Sequence, residues 1–305
     1  MRRLFTIIGI VGALLVAAAA PAIATTGPAG ATTAGRTATT TASFGGVTIT
    51  RSSLGSGTSQ TMFAAPGSTV TVNVGYTIQD VACPGCIDQI EVGWATALPT
   101  ACVYNGQPGP AGLSGSGSAT LTVPSTPGLY YIGYDRSQHY SCAQALATGK
   151  WWNSIPDTSR YLAAVAVYPL ASPAPTVRGV TLSAVSVSGL GNTAFAAPNT
   201  AVRFAANYRI VDTGCPGCID QIELGFNLSA PTTCLYSGIP GPAGASGNGA
   251  VTLTAPATAG VYAIGDDRAQ HYSCGEALRT GTWWNGAPDA TRTVAAVAVQ
   301  PYPLP

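Results

Sequence analysis

The stretch Cys83–Gly93 reads CPGCIDQIEVG, and it returns as CPGCIDQIELG at Cys215–Gly225. The offset is 215 − 83 = 132 residues, and it holds without a gap up to Val167 and Val299. Of the 85 position pairs in this stretch, 54 are identical. Solenoid repeats have periods of roughly 20–50 residues, whereas one domain usually has about 100–150. The chain is therefore predicted to be a duplicated domain, and residues kept in both copies mark what the fold or its task needs.

The N-terminus has the pattern of a secretion signal. Two arginines precede the apolar run Leu4–Ala20, and the small residues Ala22 and Ala24 supply a cleavage site. The next residues are mostly Thr, Ala and Gly, a composition that does not bury enough apolar surface to order itself. The predicted organisation is a signal peptide at 1–24, a disordered spacer at 25–43, a first domain at 44–170, a Pro-containing linker at 171–178 and a second domain at 179–305.

Charged residues are scarce, since they form 8% of the chain and the formal net charge is +1. Nucleic-acid binding and electrostatic attachment to a membrane both require clusters of Lys and Arg, so neither is expected. Beyond the signal, no stretch of the sequence approaches the roughly 18 apolar residues of a transmembrane helix. We expect an extracellular protein, either free or associated with the cell surface, that needs no cofactor.

Alternation of apolar and polar residues at period two, typical of half-buried strands, runs through Val70–Ile78 and returns at Val202–Ile210. Further strands are predicted at Val47–Arg51, Gln89–Ala95, Ala101–Tyr104, Ser118–Val123, Gly128–Tyr134 and Tyr161–Val167, and a short helix at Ala143–Thr148. About seven short strands per copy predict an all-β protein of two tandem immunoglobulin-like antiparallel β-sandwiches, each with a long loop between its last two strands. The segment Thr122–Tyr134, TVPSTPGLYYIGY, resembles the penultimate hairpin of bacterial immunoglobulin-like modules, which implies the same fold class.

Each copy carries four cysteines: Cys83, Cys86, Cys102 and Cys142, then Cys215, Cys218, Cys234 and Cys274. In a secreted chain this composition favours disulfides, with two closed inside each copy. Four cysteines allow three pairings, and the turn-forming Pro84-Gly85 favours Cys83–Cys86 with Cys102–Cys142. The first alternative is a structural zinc site that includes His139, which secretion and the wide spacing disfavour. The second is a thioredoxin-like redox pair, which the missing βαβ pattern disfavours.

The acidic residues of copy one are all kept in copy two. They are Asp80, Asp88, Glu91, Asp135 and Asp157, and their counterparts are Asp212, Asp220, Glu223, Asp267 and Asp289. Surface charges usually drift, as Arg51, Lys150 and Arg203 have done. The two histidines of the chain, His139 and His271, also match. We therefore expect these matched residues to have a structural or a binding task.

The densest group of matched residues lies in the connection between the last two predicted strands. It contains DRSQHYSC at Asp135–Cys142 and a Trp-Trp-Asn triplet at Trp151–Asn153. Trp offers a large rigid contact area and the polar residues offer directional hydrogen bonds, a mixture that suits sugars. The candidate ligand-binding residues are Glu91, Asp135, Arg136, Gln138, His139, Trp151, Trp152 and Asn153, with Glu223, Asp267, Arg268, Gln270, His271, Trp283, Trp284 and Asn285. The alternative is structural, with Asp–Arg pairs that pin the loop and tryptophans that cap the sandwich.

Gln89 and Glu91 share one face of their predicted strand, opposite their apolar neighbours. If that face is outward, the two side chains form a polar pair beside the CPGC turn. If it is inward, Glu91 needs Arg136 or Arg160 as a partner, because an unpaired buried carboxylate is costly. The sequence leaves both placements open.

Three classes of function fit these features. The first is a secreted binding or adhesion protein that recognises a polysaccharide or another cell-surface polymer, with avidity from two matched loops. The second is a structural extracellular spacer or coat module. The third is a hydrolase, with His139 as base, Asp135 as orienting group and Ser141 or Glu91 as nucleophile or acid, or with a pair of carboxylates. Because no known catalytic motif is present in the sequence, the first class is favoured.

Overall fold

The computed structural model is nearly all β, with 54% of its described residues in strands and 7% in helices. The predicted fold class is therefore confirmed at the level of an all-β protein. The described residues are 42–79, 83, 85–169, 176–211, 215, 217–227 and 230–301. The predicted signal peptide lies outside them, as do the spacer up to residue 41, most of the linker, and the matched pair Asp80 and Asp212.

The described residues of copy one form two sheets. Their strands are β1 Ala42–Phe44, β2 Val47–Leu54, β3 Thr61–Ala64, β4 Thr69–Ile78, β5 Asp88–Trp94, β6 Pro99–Gly106, β7 Leu113–Thr122, β8 Gly128–Gln138 and β9 Tyr161–Val167. The order is β1-β2-β4-β7 in one sheet and β3-β9-β8-β5-β6 in the other. Neighbouring strands are antiparallel except β3 and β9, which are parallel.

Copy two repeats this arrangement strand by strand. Its strands are β10 Thr176–Val177, β11 Val180–Val187, β12 Thr193–Ala196, β13 Ala201–Ile210, β14 Asp220–Phe226, β15 Thr233–Gly238, β16 Ala245–Thr254, β17 Gly260–Gln270 and β18 Thr293–Val299. The sheet orders are β10-β11-β13-β16 and β12-β18-β17-β14-β15. Two packed sheets per copy are compatible with the immunoglobulin-like sandwich that the sequence predicts.

Alternate residues of both sheets meet in one apolar core per copy, as the period-two pattern predicts. In copy one, β4 contributes Val70, Val72 and Val74, and the facing sheet contributes Ile90 and Ile132, all buried. Full burial of such a side chain contributes about 1.5–3 kcal/mol. Strands β5 and β8 also contribute Val92, Trp94 and Tyr134 to this core, and the residues that alternate with them face away from it.

Strand β9 is buried on both faces. Val165 joins the core, whereas Ala164 and Ala166 face the opposite side and are also fully buried. On that side Phe63 of β3 meets Phe195 of β12, with ring centroids 5.3 Å apart. The outer faces of the two five-stranded sheets therefore contact each other. Neither β3 nor β12 is predicted from the sequence, because four residues are too few for a periodic signal.

The loop between β8 and β9, residues 139–160, folds back over the outer face of its sheet. It contains the predicted short helix, observed as α1 at Cys142–Ala147, and a 3-10 helix at Thr158–Arg160. A Cβ atom at Gly133 of β8 would lie 2.6 Å from the Cβ atom of Pro156, so a glycine there lets the loop close over the strand. The polar residues buried on this face of the sheet are Gln89, Glu91, Asp135 and Ser137.

Candidate functional site

Asp135 is the centre of the polar network beneath the loop. Its Oδ1 accepts hydrogen bonds from the Arg136 amide at 3.0 Å, the Asn153 side-chain amide at 2.9 Å and Arg160 Nη1 at 3.2 Å. Its Oδ2 accepts the Asn153 backbone amide at 2.8 Å. Both Asp135 and Arg160 are buried, and a buried charge is tolerated when it is paired and hydrogen-bonded. Asp135 thus holds the loop to the sheet.

A second buried ion pair joins β5 to β8. Arg136 Nη2 donates to both carboxylate oxygens of Asp88, at 2.9 and 2.8 Å, and Nη1 donates to the carbonyl oxygen of Gly45. Gln138 Nε2 donates to Asp88 Oδ1 at 3.1 Å. Arg136 and Gln138 are therefore engaged by Asp88 and the β1–β2 turn.

Gln89 fixes the direction in which the loop leaves β8. Its Nε2 donates to the carbonyl oxygen of His139 at 2.9 Å, and its Oε1 accepts the His139 amide at 2.8 Å. The Cys102–Cys142 disulfide then ties the start of α1 to β6. Ser141 caps the same helix, because its Oγ accepts the Gln144 amide. The first half of the loop is thus held at four points.

Glu91 is the buried carboxyl group of this face that has no cation. It is 1% exposed, and neither carboxyl oxygen has a hydrogen-bond partner. Burial raises the pKa of Glu91, the Ser137 hydroxyl lowers it, the Asp135 charge raises it and the Trp152 amide lowers it. Those two donors lie near the carboxyl group without meeting hydrogen-bond geometry. Burial therefore favours the neutral acid at this position.

The prediction that an inward Glu91 pairs with Arg136 or Arg160 is wrong. Arg136 binds Asp88, and Arg160 binds Asp135. Both arginines are therefore already neutralised, and Glu91 is buried without a cation beside it.

The same arrangement returns in copy two with fewer donors. Asp267 accepts the Asn285 amide at 2.7 Å and lies 3.3 Å from Arg292 Nη1. Burial raises the pKa of Glu223 to about 7, the Trp284 amide lowers it and the Asp267 charge raises it. Ala269 occupies the position of Ser137 and supplies no hydroxyl.

The two adjacent tryptophans of the loop have different environments. Trp151 is 5% exposed, and its Nε1 donates to the carbonyl oxygen of Ala97 at 2.9 Å. Trp152 is 46% exposed, and its ring stands edge-to-face against His139, with centroids 4.6 Å apart. The counterparts are the buried Trp283 and the half-exposed Trp284, which contacts His271 in the same way. One tryptophan therefore fastens the loop and the other faces solvent.

Tyr140 and Tyr272 are functional candidates that the sequence-based prediction missed. Among the described residues they are the most exposed large apolar side chains, at 85% and 86%. Their backbone amides donate to Gln144 Oε1 at 3.0 Å and to Glu276 Oε2 at 3.1 Å. The available signal was their identity in the matched QHYSC segments, but sequence does not show that the side chains are exposed.

A cleft of about 410 Å³ opens beside Tyr272 in copy two. Its lining residues are Gly217, Cys218, Ile219, Gln270, His271, Tyr272 and Glu276. Small-molecule sites commonly measure about 300–1,000 Å³. Since His271 lines the cleft and also contacts Trp284, the recess adjoins the exposed aromatic residues.

The cysteines pair as favoured from the sequence. The disulfides are Cys83–Cys86, Cys102–Cys142, Cys215–Cys218 and Cys234–Cys274. Disulfide sulfurs are not the thiolates that zinc requires, and no group of three or more metal-ligating side chains occurs among the described residues. The CPGC turn leads into strand β5, whereas a thioredoxin-like Cys lies at a helix N-terminus.

The structure brings the predicted site residues into one region but buries six of the sixteen. Glu91, Asp135 and Trp151 are buried, as are Glu223, Asp267 and Trp283. Arg136, Gln138 and Asn153 are bound by neighbouring protein groups, and Arg268, Gln270 and Asn285 are bound in the same way. The predicted residues that are exposed are Trp152 and Trp284, each against its histidine, with Asn153 and Gln270.

No helix in the part of the chain that the structure describes is long and apolar enough to cross a membrane. No known protein family and no curated protein matches the sequence. Among solved structures, the chain is similar to the adhesin InvE of Yersinia pseudotuberculosis, at 14% identity and a TM-score of 0.23, over 74% of this chain and 57% of that one. It is also similar to a membrane-anchored protein from Corynebacterium diphtheriae, at 11% identity and a TM-score of 0.30, over 85% and 60%. The chain spans less than two thirds of either protein, and the likeness concerns the all-β fold alone.

Proposed function

We propose that the chain is an extracellular binding protein that recognises a carbohydrate polymer through two aromatic pairs, Tyr140 with Trp152 and Tyr272 with Trp284. The observation that carries the proposal is their equal exposure, 85% and 46% in copy one against 86% and 50% in copy two. Large apolar side chains grouped at the surface mark interaction sites more often than scattered ones do. The same exposed pair at the same place in both copies therefore supports a shared binding task.

The rigid frame under each pair favours binding. Asp135 and Gln89 hold the loop from beneath, and the Cys102–Cys142 disulfide holds it from the side. His139 stands against Trp152 and limits the rotation of its ring. Because these groups are ordered before a ligand arrives, association loses less conformational entropy.

The buried charges beneath the loop are paired with each other and do not face a ligand. Asp135 is paired with Arg160, and Asp88 is paired with Arg136, so their charges are satisfied inside the protein. The surface of the loops offers aromatic area with amide, imidazole and hydroxyl groups, beside the surface charges of Lys150 and Asp157 in copy one and of Glu276, Arg279 and Asp289 in copy two. Such a surface suits sugars, whose rings present apolar C–H faces and hydrogen-bonding edges.

The burial of the carboxyl groups argues against the hydrolase alternative. Asp88, Glu91 and Asp135 are each at most 1% exposed, so a substrate and a water molecule do not reach them. Asp157 is consumed as the N-cap of a 3-10 helix, where its Oδ1 accepts the Ser159 amide at 3.0 Å. These carboxyl groups are therefore structural in the conformation that the chain adopts.

A glycan array probed with the secreted chain tests the proposal. We expect binding that falls at least about tenfold, or ~1.4 kcal/mol, when Tyr140→Ala and Tyr272→Ala are combined, and further when Trp152→Ala and Trp284→Ala are added. The matched control is Leu113→Ala, an exposed apolar residue on β7. Absence of binding to every glycan by the unmodified chain, or equal binding by the aromatic variants, would falsify the proposal.

A further inference from the structure

Phe63 and Phe195 occupy the same position in the two copies, because 195 − 63 = 132, the offset of the repeat. Their rings contact each other edge-to-face, with centroids 5.3 Å apart. A residue therefore meets its own counterpart across the boundary between the copies. This is the hallmark of an isologous contact, in which one surface patch packs on a second copy of itself around a two-fold axis.

The residues around the two phenylalanines support the same symmetry. Phe63 lies opposite Ala166 in the β3–β9 pair, and Phe195 lies opposite Ala298 in the β12–β18 pair. Both alanines are fully buried although they face away from their own cores. The boundary therefore joins equivalent apolar surfaces with small residues beside each ring.

The strands at the boundary also approach closely. Cα atoms of β8 and its counterpart β17 come within 8 Å of each other. Tyr131 of β8 lies opposite Ala164, and Ala263 of β17 lies opposite Ala296. Ala164, Ala263 and Ala296 are small, whereas Tyr131, the counterpart of Ala263, stacks on Tyr161 with ring centroids 4.5 Å apart, so the two surfaces differ at this position.

We infer that the two copies form one rigid pair through this self-complementary surface, which holds the two aromatic loops in a fixed, pseudo-two-fold orientation. Loop and boundary share one face of the sheet, since Phe63, Gly133 and Asp135 all lie on its outer side, with Gly133 beneath Pro156 of the loop. The position of each loop is therefore set by the same surface that joins the copies.

The fixed orientation sets one distance between the two binding sites. Its consequence for the ligand rests on the proposed carbohydrate function. Two identical sites at one separation bind best to a ligand that repeats one unit at a matching spacing. The partner that fits this surface is therefore a polymer with a regular repeat, rather than a single terminal sugar.

Spin labels on the full chain test the pairing directly. Ser116 and Asn248 are counterparts on the exposed faces of β7 and β16, and no free cysteine competes with labels among the described residues. With Ser116→Cys and Asn248→Cys, double electron–electron resonance should give one narrow distance distribution. Adding Phe63→Asp and Phe195→Asp should broaden it, because a charge then enters the apolar contact.

Leu113→Asp serves as the matched control, because it places the same charge on an exposed strand position. If the aspartate pair does not fold by circular dichroism, Phe63→Ala with Phe195→Ala replaces it. A broad distribution in the labelled parent, or a narrow one that survives loss of both phenylalanines, would overturn the inference. A narrow distribution in a chain that binds no glycan would overturn the proposed function and leave the pairing intact.

Discussion

The two copies share the aromatic residues and the buried Asp–Asn bonds of their loops, and they differ at positions around them. Both keep the exposed Tyr and Trp, the contacting His, the Asp–Asn bonds and the disulfides. The exchanged positions around them include Tyr134 against Asp266, Ser137 against Ala269, Ser154 against Gly286 and Gln144 against Glu276. In copy two the buried Asp–Arg pair and the exposed aromatic residues are kept although the hydroxyl groups of Ser137 and Ser154 are missing.

The arginine of the frame shows this contrast most clearly. Arg160 is 2% exposed, lies 4.3 Å from the ring centroid of Phe44 and donates to Ser154 Oγ at 2.7 Å. Arg292 is 10% exposed and donates to the carbonyl oxygens of Gly286 and Ala287. Copy one therefore depends more on its buried ion pair, because its arginine has less access to water.

The largest expected effect is that of removing the central carboxylate. Asp135→Ala leaves Arg160 buried and uncompensated, which typically costs about 3–5 kcal/mol of unfolding free energy. Asp267→Ala should cost less, because Arg292 can turn toward solvent. Urea unfolding, followed by hydrogen exchange in peptides from β5 and β14, measures each copy separately. Equal losses in the two copies would show that exposure of the arginine does not set the cost.

The second largest expected effect is a pH dependence of stability, and it is confined mainly to copy two. Burial raises the pKa of Asp266 to about 7, the Asp267 charge raises it and Arg292 lowers it, and the pKa of Glu223 is also about 7. In the unfolded chain such groups titrate near pH 4. The folded state therefore holds these protons while the unfolded state has released them. Stability from these groups is full below about pH 4 and is lost as the pH rises toward 7, by on the order of 2–4 kcal/mol per group.

Calorimetry between pH 4 and 8 measures this loss. Copy one should change less, because Tyr134 replaces Asp266 and burial raises the pKa of that tyrosine further above its ordinary value. Asp266→Asn removes the charge at similar volume and should flatten the pH profile of copy two. A profile that is unchanged by Asp266→Asn would contradict the assignment of the pH dependence to this residue.

Much of the fold follows from sequence because it rests on local periodicity. The strands with alternating residues, the helix near Ala143 and the disulfide pairing were all predicted correctly. The short strand β3 and the contact of Phe63 with Phe195 were not, since they depend on distant parts of the chain. Period two places Glu91 opposite the core, but it does not reveal that a loop covers this face.

For the loop region, the sequence predicted a cluster of matched residues, but it did not show which of them are exposed. Matched residues such as Asp135 and Trp151 stand out in a comparison of the copies because burial constrains them strongly. Tyr140 is equally well matched, but one exposed residue has no periodic or charge pattern that separates it from its neighbours. Identity between the two copies therefore identified the buried residues that hold the loop more readily than the exposed aromatic residues.

The third largest expected effect comes from the removal of the Ser137 hydroxyl group. Ser137→Ala gives copy one the alanine of copy two and removes the bond from Ser137 Oγ to Gln89 Oε1, 3.3 Å long. A net loss of about 1 kcal/mol of unfolding free energy is expected, together with a higher pKa of Glu91. Ala269→Ser should act in the opposite direction on Glu223. Carboxyl chemical shifts during an NMR titration report both pKa values, and unchanged values would contradict this role of the hydroxyl.

The smallest effect is expected at an exposed exchanged position. Glu276→Gln gives copy two the amide of Gln144, which already accepts the equivalent Tyr140 amide in copy one. The pair of Glu276 with Arg279 is 3.8 Å long and mostly exposed, so its loss should cost less than about 0.5 kcal/mol. Thermal unfolding should be unchanged within error. A large loss of unfolding free energy would mean that exposed side chains of the loop also stabilise its fold.

The most direct test measures binding and unfolding on the same variants of the full chain. Tyr140→Ala with Tyr272→Ala should reduce binding to the glycan selected on the array at least about tenfold and leave the unfolding free energy unchanged. Trp151→Ala, a buried change, should lower the unfolding free energy by about 3–5 kcal/mol. Undiminished glycan binding by the tyrosine pair variant would contradict the account that the exposed aromatic residues are the binding surface and that the buried network is its frame.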